Sequence, residues 1–307
     1  MTTPSFHHPV LGTELVAMVG RAKRVVDGTL GDGGHAELFR SGGATVLGID
    51  RDSGALARAR ERLGPERIHY HLGSAFDPDT LARIRQFQPD LILLDLGVSS
   101  RQLDDDGLGF TFRPGAPLDM RMSRSGPTAA DLLAEASLAD LTTWLADYGD
   151  EPRARRLAAE LVRRRATRPL VVSDDLVNAI RAALGPRSGP ADFARIFQAF
   201  RIAVNDELAG LRGALPDLRV ALTGRGALAV ISYHSGEDRL VKNAFREWSQ
   251  ACICPPIQPL CICRGRPLGR LLTRRPIGAG DEEIRSNPRA RSAKLRVFER
   301  ADDGAAG

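Results

Sequence analysis

The stretch Asp27-Gly28-Thr29-Leu30-Gly31-Asp32-Gly33-Gly34-His35 decides the fold. It closes a short β-branched run, RVVDGTL at 24–30, and opens a stretch of helical composition. Glycines at such a junction let the backbone turn sharply and let a ligand approach it closely. Asp50, 23 residues after Asp27, ends a second strand-like run, ATVLGID at 44–50. A carboxylate at that place can accept both hydroxyls of an adenosine ribose.

Outward from this junction the pattern repeats. RIHYHL at 67–72 and DLILLDL at 90–96 read as third and fourth strands, with a helix over Ser53 to Leu63 between the second and third. Strand and helix in alternation argue for βαβ units and a parallel sheet. The fourth run is apolar almost throughout, as a strand buried on both faces should be. After about Phe112 the pattern turns helical. Thr128 with Asp131, and Ser137 with Asp140, resemble helix N-terminal caps. Leu138, Leu141, Leu145 and Tyr148 then share one helical face. Ser173 starts a further helix that Gly185 ends, and Phe193, Ile196, Phe197 and Phe200 form another apolar stripe. Strand-like runs return at 226–234, 270–275 and 294–300. The expectation is an α/β protein with a seven-stranded Rossmann-like sheet and an inserted all-helical domain. Its expected parts are residues 1–109, the insertion 110–205, and 206–307. The tail after Arg300 reads as disordered.

Two cofactors fit the glycine loop. Residues 31–36 satisfy G-x-G-x-x-A, which a dinucleotide also uses. A pyrophosphate needs an electropositive helix start. Asp27 and Asp32 flank the loop, and their charge opposes one. The same acids suit S-adenosylmethionine, which carries an ammonium and a sulfonium and no phosphate. Asp95, at the end of the fourth strand, adds a third carboxylate at the edge where ligands bind open α/β sheets.

Bulk properties set the wider frame. The 307 residues are 43% apolar and 26% charged, ordinary for a globular protein, with a net charge of +5. The first ten residues lack a secretory pattern, and no apolar run is long enough to span a bilayer, so the expectation is cytoplasmic with no membrane partner. Residues 153–168 hold seven Arg against Glu160 alone, and 264–275 hold five Arg with no acid. Such runs are usually solvated faces; phosphate contact by at least one is the favoured reading here. Aromatic residues make up 5%, too few for extensive stacking along a single strand. Cys252, Cys254, Cys261 and Cys263 do not read as a disulfide framework. Four thiolates could hold Zn²⁺, but C-x-C is less usual than C-x-x-C, so reduced thiols and no metal are expected. The sequence leaves a homodimer open.

The motifs His8-Pro9-Val10-Leu11, DGTLGDGGHA (27–36), GIDRD (48–52), DLGVSSRQLDD (95–105), PLDMRM (117–122), YHSGEDRLVK (233–242) and NPRARSAKLR (287–296) together resemble the RsmH/MraW family of bacterial 16S ribosomal RNA (cytosine-N4)-methyltransferases. The matches run in order over nearly the whole chain. The resemblance implies that the seven-stranded sheet with its helical insertion is an S-adenosylmethionine-dependent methyltransferase fold, with S-adenosylmethionine as cofactor and methylation of a cytosine at the decoding centre of the small ribosomal subunit. It carries the cofactor contacts onto Gly33, Gly34, His35, Asp50, Phe76, Asp95 and Gln102. Asp32, Tyr233 and Gly236 depart from the residues usual in the family.

Methyl transfer to an amino group rewards orientation. The exocyclic nitrogen of cytosine is a poor nucleophile, and an acceptor for its hydrogens would localise the lone pair. DLGVSS lacks the prolines and ring that many amino-methyltransferases place after this strand. Asp95, with Tyr233 and His234 at the end of the fifth strand, is therefore the catalytic candidate set, although a hydrogen-bonded structural role for His234 fits the sequence equally well. His7, His69 and His71 carry no assigned chemistry, nor does His8. Competing readings are a nicotinamide-dependent dehydrogenase, which leaves DLGVSS and the helical insertion unexplained, and a non-catalytic RNA-binding factor, against which the intact Asp27, Asp50 and Asp95 count.

Overall fold

The computed structural model describes residues 9–123, 125–255, 260 and 262–302; His7, His8, Cys261 and the tail 303–307 lie outside it. The chain forms two compact units, Met1–Gly97 with Gly210–Gly307, and Val98–Ala209. None of the described helices is long and apolar enough to cross a membrane.

The first unit is built on an eight-stranded sheet: β1 (Arg24–Asp27), β2 (Thr45–Asp50), β3 (Ile68–Leu72), β4 (Leu91–Asp95), β5 (Ala227–Ser232), β6 (Gly269–Leu271), β7 (Ile277–Gly278) and β8 (Lys294–Arg300). The order is β3-β2-β1-β4-β5-β8-β6, with β7 pairing to β8 off this path. β1 to β5 are parallel, and β8 runs antiparallel to β5. Successive residues of a strand face opposite sides. Val25, Leu91, Leu93, Ala229 and Ile231 enter one core; Val26, Ile92, Leu94, Leu228 and Val230 enter another. Both faces are thus covered, which explains the unbroken apolar run of β4. Order reverses between β1 and β4, whose carboxyl ends therefore flank the crevice where open α/β sheets bind ligands.

The sheet departs from the sequence expectation in two places. The regular strand of the run 24–30 ends at Asp27, where the glycine loop begins, although Gly28 N and Leu30 N still donate to Leu93 O and Ile49 O. The expected strand 270–275 is cut short at Leu271. Leu272 and Thr273 both donate to Val297 O, the Thr273 hydroxyl accepts from Val297 N, and Pro276 has no N–H to offer. Pairing resumes only at Ile277, which gives the eighth strand.

The second unit is helical. Thr128 and Ser137 close capping boxes with Asp131 and Asp140, as their spacing predicts. Helix Ser173–Leu184 ends at Gly185. Phe193, Ile196, Phe197 and Phe200 of helix Pro190–Asn205 are buried with Leu141 and Leu145 in one core. Leu138, expected on that face, is 40% exposed in the first helical turn. The helix gives way to a π-turn at Trp144–Tyr148, so the expected stripe is not continuous.

Candidate functional site

Three carboxylates end three neighbouring strands of the first unit: Asp27 on β1, Asp50 on β2 and Asp95 on β4. The loop 28–33 passes among them because it carries glycine. Gly31 and Gly33 have φ of 53° and 83°, and a Cβ on Gly33 would lie 2.6 Å from Leu63 Cδ1.

Asp50 is held from both sides. Its Oδ2 accepts from Gly31 N and its Oδ1 from Asp52 N, each at 2.8 Å. Each oxygen keeps acceptor capacity. Burial is the main cause that lifts its pKa above the ordinary range.

Asp27 is 1% exposed. Its Oδ1 accepts from Thr29 N at 3.3 Å, and its Oδ2 is buried without a hydrogen-bond partner among the described residues. Burial pushes its pKa up to about 6; His35 lowers it, and the nearby Asp95 and Asp50 add to the rise. A buried acceptor left open at a ligand-binding edge awaits a donor or a cation.

Asp95 donates its amide to Thr29 Oγ1 at 2.6 Å, which ties β4 to the glycine loop. Its Oδ1 accepts from the Tyr233 hydroxyl at 2.9 Å. Its Oδ2 stands 3.7 Å from His35 Nδ1, too far for a hydrogen bond. Burial raises the Asp95 pKa, while His35 and the Tyr233 hydrogen bond lower it. Burial first, then Asp95, drives the Tyr233 phenol far above its usual range, so it is a neutral donor. His35 is buried in the first turn of helix Gly34–Ser41, with Nε2 2.9 Å from Val10 O.

The remaining sequence-derived candidates are distributed unevenly. A Cβ on Gly34 would touch Pro9 at 3.4 Å. Phe76 follows β3, is half-buried, and approaches the backbone at Gly210, where a Cβ would lie 3.0 Å from its ring. Gln102 belongs to the second unit, where its amide and side chain close a capping box with Ser99. His234 is the N-cap of helix Ser235–Ser249. Its Nδ1 accepts from Gly236 N at 3.2 Å and Glu237 N at 3.4 Å. Its Nε2 stands 3.1 Å from Glu237 Oε1, out of line for a hydrogen bond. The ring is thus turned toward its own helix. Glu237, which sequence reasoning missed, is 2% exposed and also accepts from Tyr233 N at 3.0 Å. Its spacing from Tyr233, i to i+4 across a cap, was the available signal.

Asp32 also differs from its expected part. It pairs with Arg58 at 2.8 Å, so its charge is offset, and opposition to a phosphate falls to Asp27. The donor set remains one of carboxylates with open acceptor positions, one of them an orphaned buried oxygen. It fits a cationic, hydroxyl-bearing adenosine cofactor and opposes a pyrophosphate.

The second unit carries a depression of about 350 Å³ whose charged lining is Arg163, Arg164 and Arg168 against Asp175, which stands 3.9 Å from Arg168. Arg163 and Arg164 share Glu160 at 2.7 and 2.6 Å. Arg165 donates to Leu133 O and Ala136 O, and Arg153 to Leu184 O, so these two serve the unit's own backbone.

The sequence profile described as the MraW methylase family matches residues 4–301. Ribosomal RNA small subunit methyltransferase H of Gemmatimonas aurantiaca is 55% identical over 309 residues, covering 97% of this chain and 96% of its own. The protein of the same name from Heliobacterium modesticaldum is 44% identical over 313 residues, covering 96% and 99%. That from Myxococcus xanthus is 44% identical over 306 residues, covering 98% and 99%.

Proposed function

The chain belongs to the MraW methylase family, and we propose that it transfers a methyl group from S-adenosylmethionine to the exocyclic N4 of a cytosine in 16S ribosomal RNA, within the small ribosomal subunit. One observation carries the cofactor side. The buried Asp27 oxygen, without a hydrogen-bond partner among the described residues, stands with Asp50 and Asp95 at the carboxyl ends of β1, β2 and β4. Membership of a methylase family removes the support for the dehydrogenase reading.

When bound, the cofactor supplies an electrophilic methyl group on a cationic sulfur. Asp50, already oriented by two backbone amides, offers its free lone pairs to the ribose hydroxyls. Asp27 supplies a desolvated negative charge for the cationic part, an interaction strengthened by exclusion of water. Gly33, Gly34, His35 and Phe76 complete the proposed contacts of the first unit. Asp95 serves the cofactor first, and its open oxygen can also accept from the target amino group, which localises the nitrogen lone pair. Tyr233 fixes the Asp95 carboxylate and presents a ring at the end of β5. His234 is assigned a positioning role: it caps the helix that follows Tyr233, and Glu237 of that helix holds the Tyr233 amide. The depression of the helical unit is assigned to RNA phosphates.

The test is Asp95→Asn, which keeps shape and one acceptor but removes the charge. Cofactor binding and turnover on small ribosomal subunits fall together. Full cofactor affinity in the folded variant would remove Asp95 from the cofactor side.

A further inference from the structure

Between helix Ser235–Ser249 and β6 lies the segment 250–268, which has no regular structure among its described residues. A connection this long without its own secondary structure is unusual in a compact domain and needs something to hold it. Apolar burial does not supply that. Leu260 and Ile262 are 76% and 80% exposed, and Ile253 is exposed as well. The ends are pinned: Leu268 N donates to Trp248 O at 2.7 Å, and the Arg264 guanidinium caps the carbonyls of Glu247 and Gln250.

Inside this segment three thiols converge. The Sγ atoms of Cys252, Cys254 and Cys263 all lie within 4.8 Å of one another. Cys252 is exposed and the other two are only half-buried. Free cysteine is ordinarily among the most buried residue types, so a solvated thiol cluster is not explained by packing.

The separation rules out a disulfide and suits both a contact between reduced thiols and two ligands of one metal ion; the convergence of a third thiol favours the metal. Cys252 Sγ and Cys263 Sγ stand 3.8 Å apart. A disulfide requires about 2.05 Å. Two ligands of a tetrahedral zinc ion with Zn–S bonds of about 2.3 Å are separated by the edge of that tetrahedron, about 3.8 Å. In addition, Ile253 N approaches Cys263 Sγ at 3.4 Å, a backbone donor aimed at a sulfur as the outer contacts of thiolate sites are.

We propose that Cys252, Cys254 and Cys263 bind one structural Zn²⁺ that staples the loop between helix Ser235–Ser249 and β6. This reverses the expectation of free thiols drawn from the C-x-C spacing. The set is soft and all-sulfur, which selects zinc over magnesium, calcium or manganese. Cys261 lies outside the described residues, and the proposal rests on the other three. Each thiol binds as thiolate, so aqueous Zn²⁺ displaces protons to solvent and no oxidant or reductant is consumed. The site lies on the loop leading to β6 and uses none of the residues assigned to the cofactor.

The full chain, purified without chelators and kept reduced with a phosphine, is exposed to Zn²⁺, desalted and analysed for metal. The expected result is one zinc per chain. Replacement by Co²⁺ is expected to give the intense visible bands and sulfur charge-transfer absorption of a tetrahedral thiolate site. Cys252→Ser and Cys263→Ser, each shown to be folded by retained S-adenosylhomocysteine binding, lose the metal. A metal-free wild-type chain whose four thiols all react at once with a thiol reagent would overturn the proposal. So would iron in place of zinc. The wild-type metal content and cobalt spectrum decide the matter even if a variant does not fold.

Discussion

The Tyr233 hydroxyl donates to Asp95 Oδ1 at 2.9 Å and so joins the residue after β5 to the last residue of β4. This bond favours the ionised carboxylate, against the burial that disfavours it. Tyr233→Phe keeps the ring and removes the bond. Asp95 then protonates at higher pH, and the acid limb of the methyl-transfer profile moves up. The rate at pH 8 changes little, since Phe is also the residue usual in the resembled family. Tyr233→Ala lowers the rate at every pH. An unmoved acid limb in Tyr233→Phe would separate the bond from the titrating group.

Asp27 sets a second pH dependence. Its pKa is pushed up to about 6 in the folded protein. In the proposed site the ionised form is the one that receives a cationic cofactor. Below about pH 6 its population falls about tenfold per pH unit, and cofactor affinity falls with it. The sign for the unliganded protein is opposite. A carboxyl group whose folded pKa is raised contributes stability at low pH that is lost as pH climbs from about 4 to about 6. Calorimetry at pH 5, 6 and 7 in buffers of different ionisation enthalpy should show tighter binding at higher pH with proton release. Asp27→Asn should weaken binding and lose most of that dependence. Affinity that is flat from pH 5 to 7 in the wild type would contradict this assignment.

His234 separates positioning from proton transfer. Losing the cap in His234→Ala destabilises helix Ser235–Ser249 by about 0.5–2 kcal/mol. It slows single-turnover methyl transfer at saturating cofactor and leaves cofactor affinity nearly intact. His234→Asn restores a capping acceptor without an imidazole, and it recovers most of the rate. A rate equally low in the Asn and Ala variants would assign the imidazole itself to the chemistry.

In the helical unit, Arg163, Arg164 and Arg168 line the depression. Replacing all three by Gln should flatten the salt dependence of RNA binding by up to about two to three units of log–log slope. Arg165→Gln should act on stability instead, by about 1–3 kcal/mol, because its guanidinium holds the carbonyls of Leu133 and Ala136. An unchanged slope in the triple variant would leave this run a solvated face.

The acids at the strand ends were legible because the parallel-sheet pattern locates a strand's carboxyl end, and Asp27, Asp50 and Asp95 are the last residues of their strands. The caps at Thr128 and Ser137 were legible because a capping box is local in sequence. Long-range partners were not. The pairing of Asp32 with Arg58 depends on how helix Ser53–Leu63 lies on the glycine loop, and the early end of β6 depends on the Thr273 hydroxyl reaching Val297. The turning of the His234 ring onto the amides of Gly236 and Glu237 is local, yet an imidazole serves as cap, ligand or base with the same sequence signature. The convergence of Cys252 with Cys263 depends on the path of the loop between them, which spacing alone does not fix.

The most direct test supplies the purified protein with methyl-labelled S-adenosylmethionine and small ribosomal subunits from cells lacking it, and maps the label by nuclease digestion and mass spectrometry. The account predicts label on the exocyclic nitrogen of one cytosine of 16S ribosomal RNA. It further predicts that Asp50→Ala weakens cofactor binding by about 1.5–3 kcal/mol, the loss of a charge-assisted hydrogen bond, with turnover at limiting cofactor falling in proportion. Label on a ring carbon or another base, or no transfer to subunits or to their RNA by a folded protein that binds the cofactor, would contradict it.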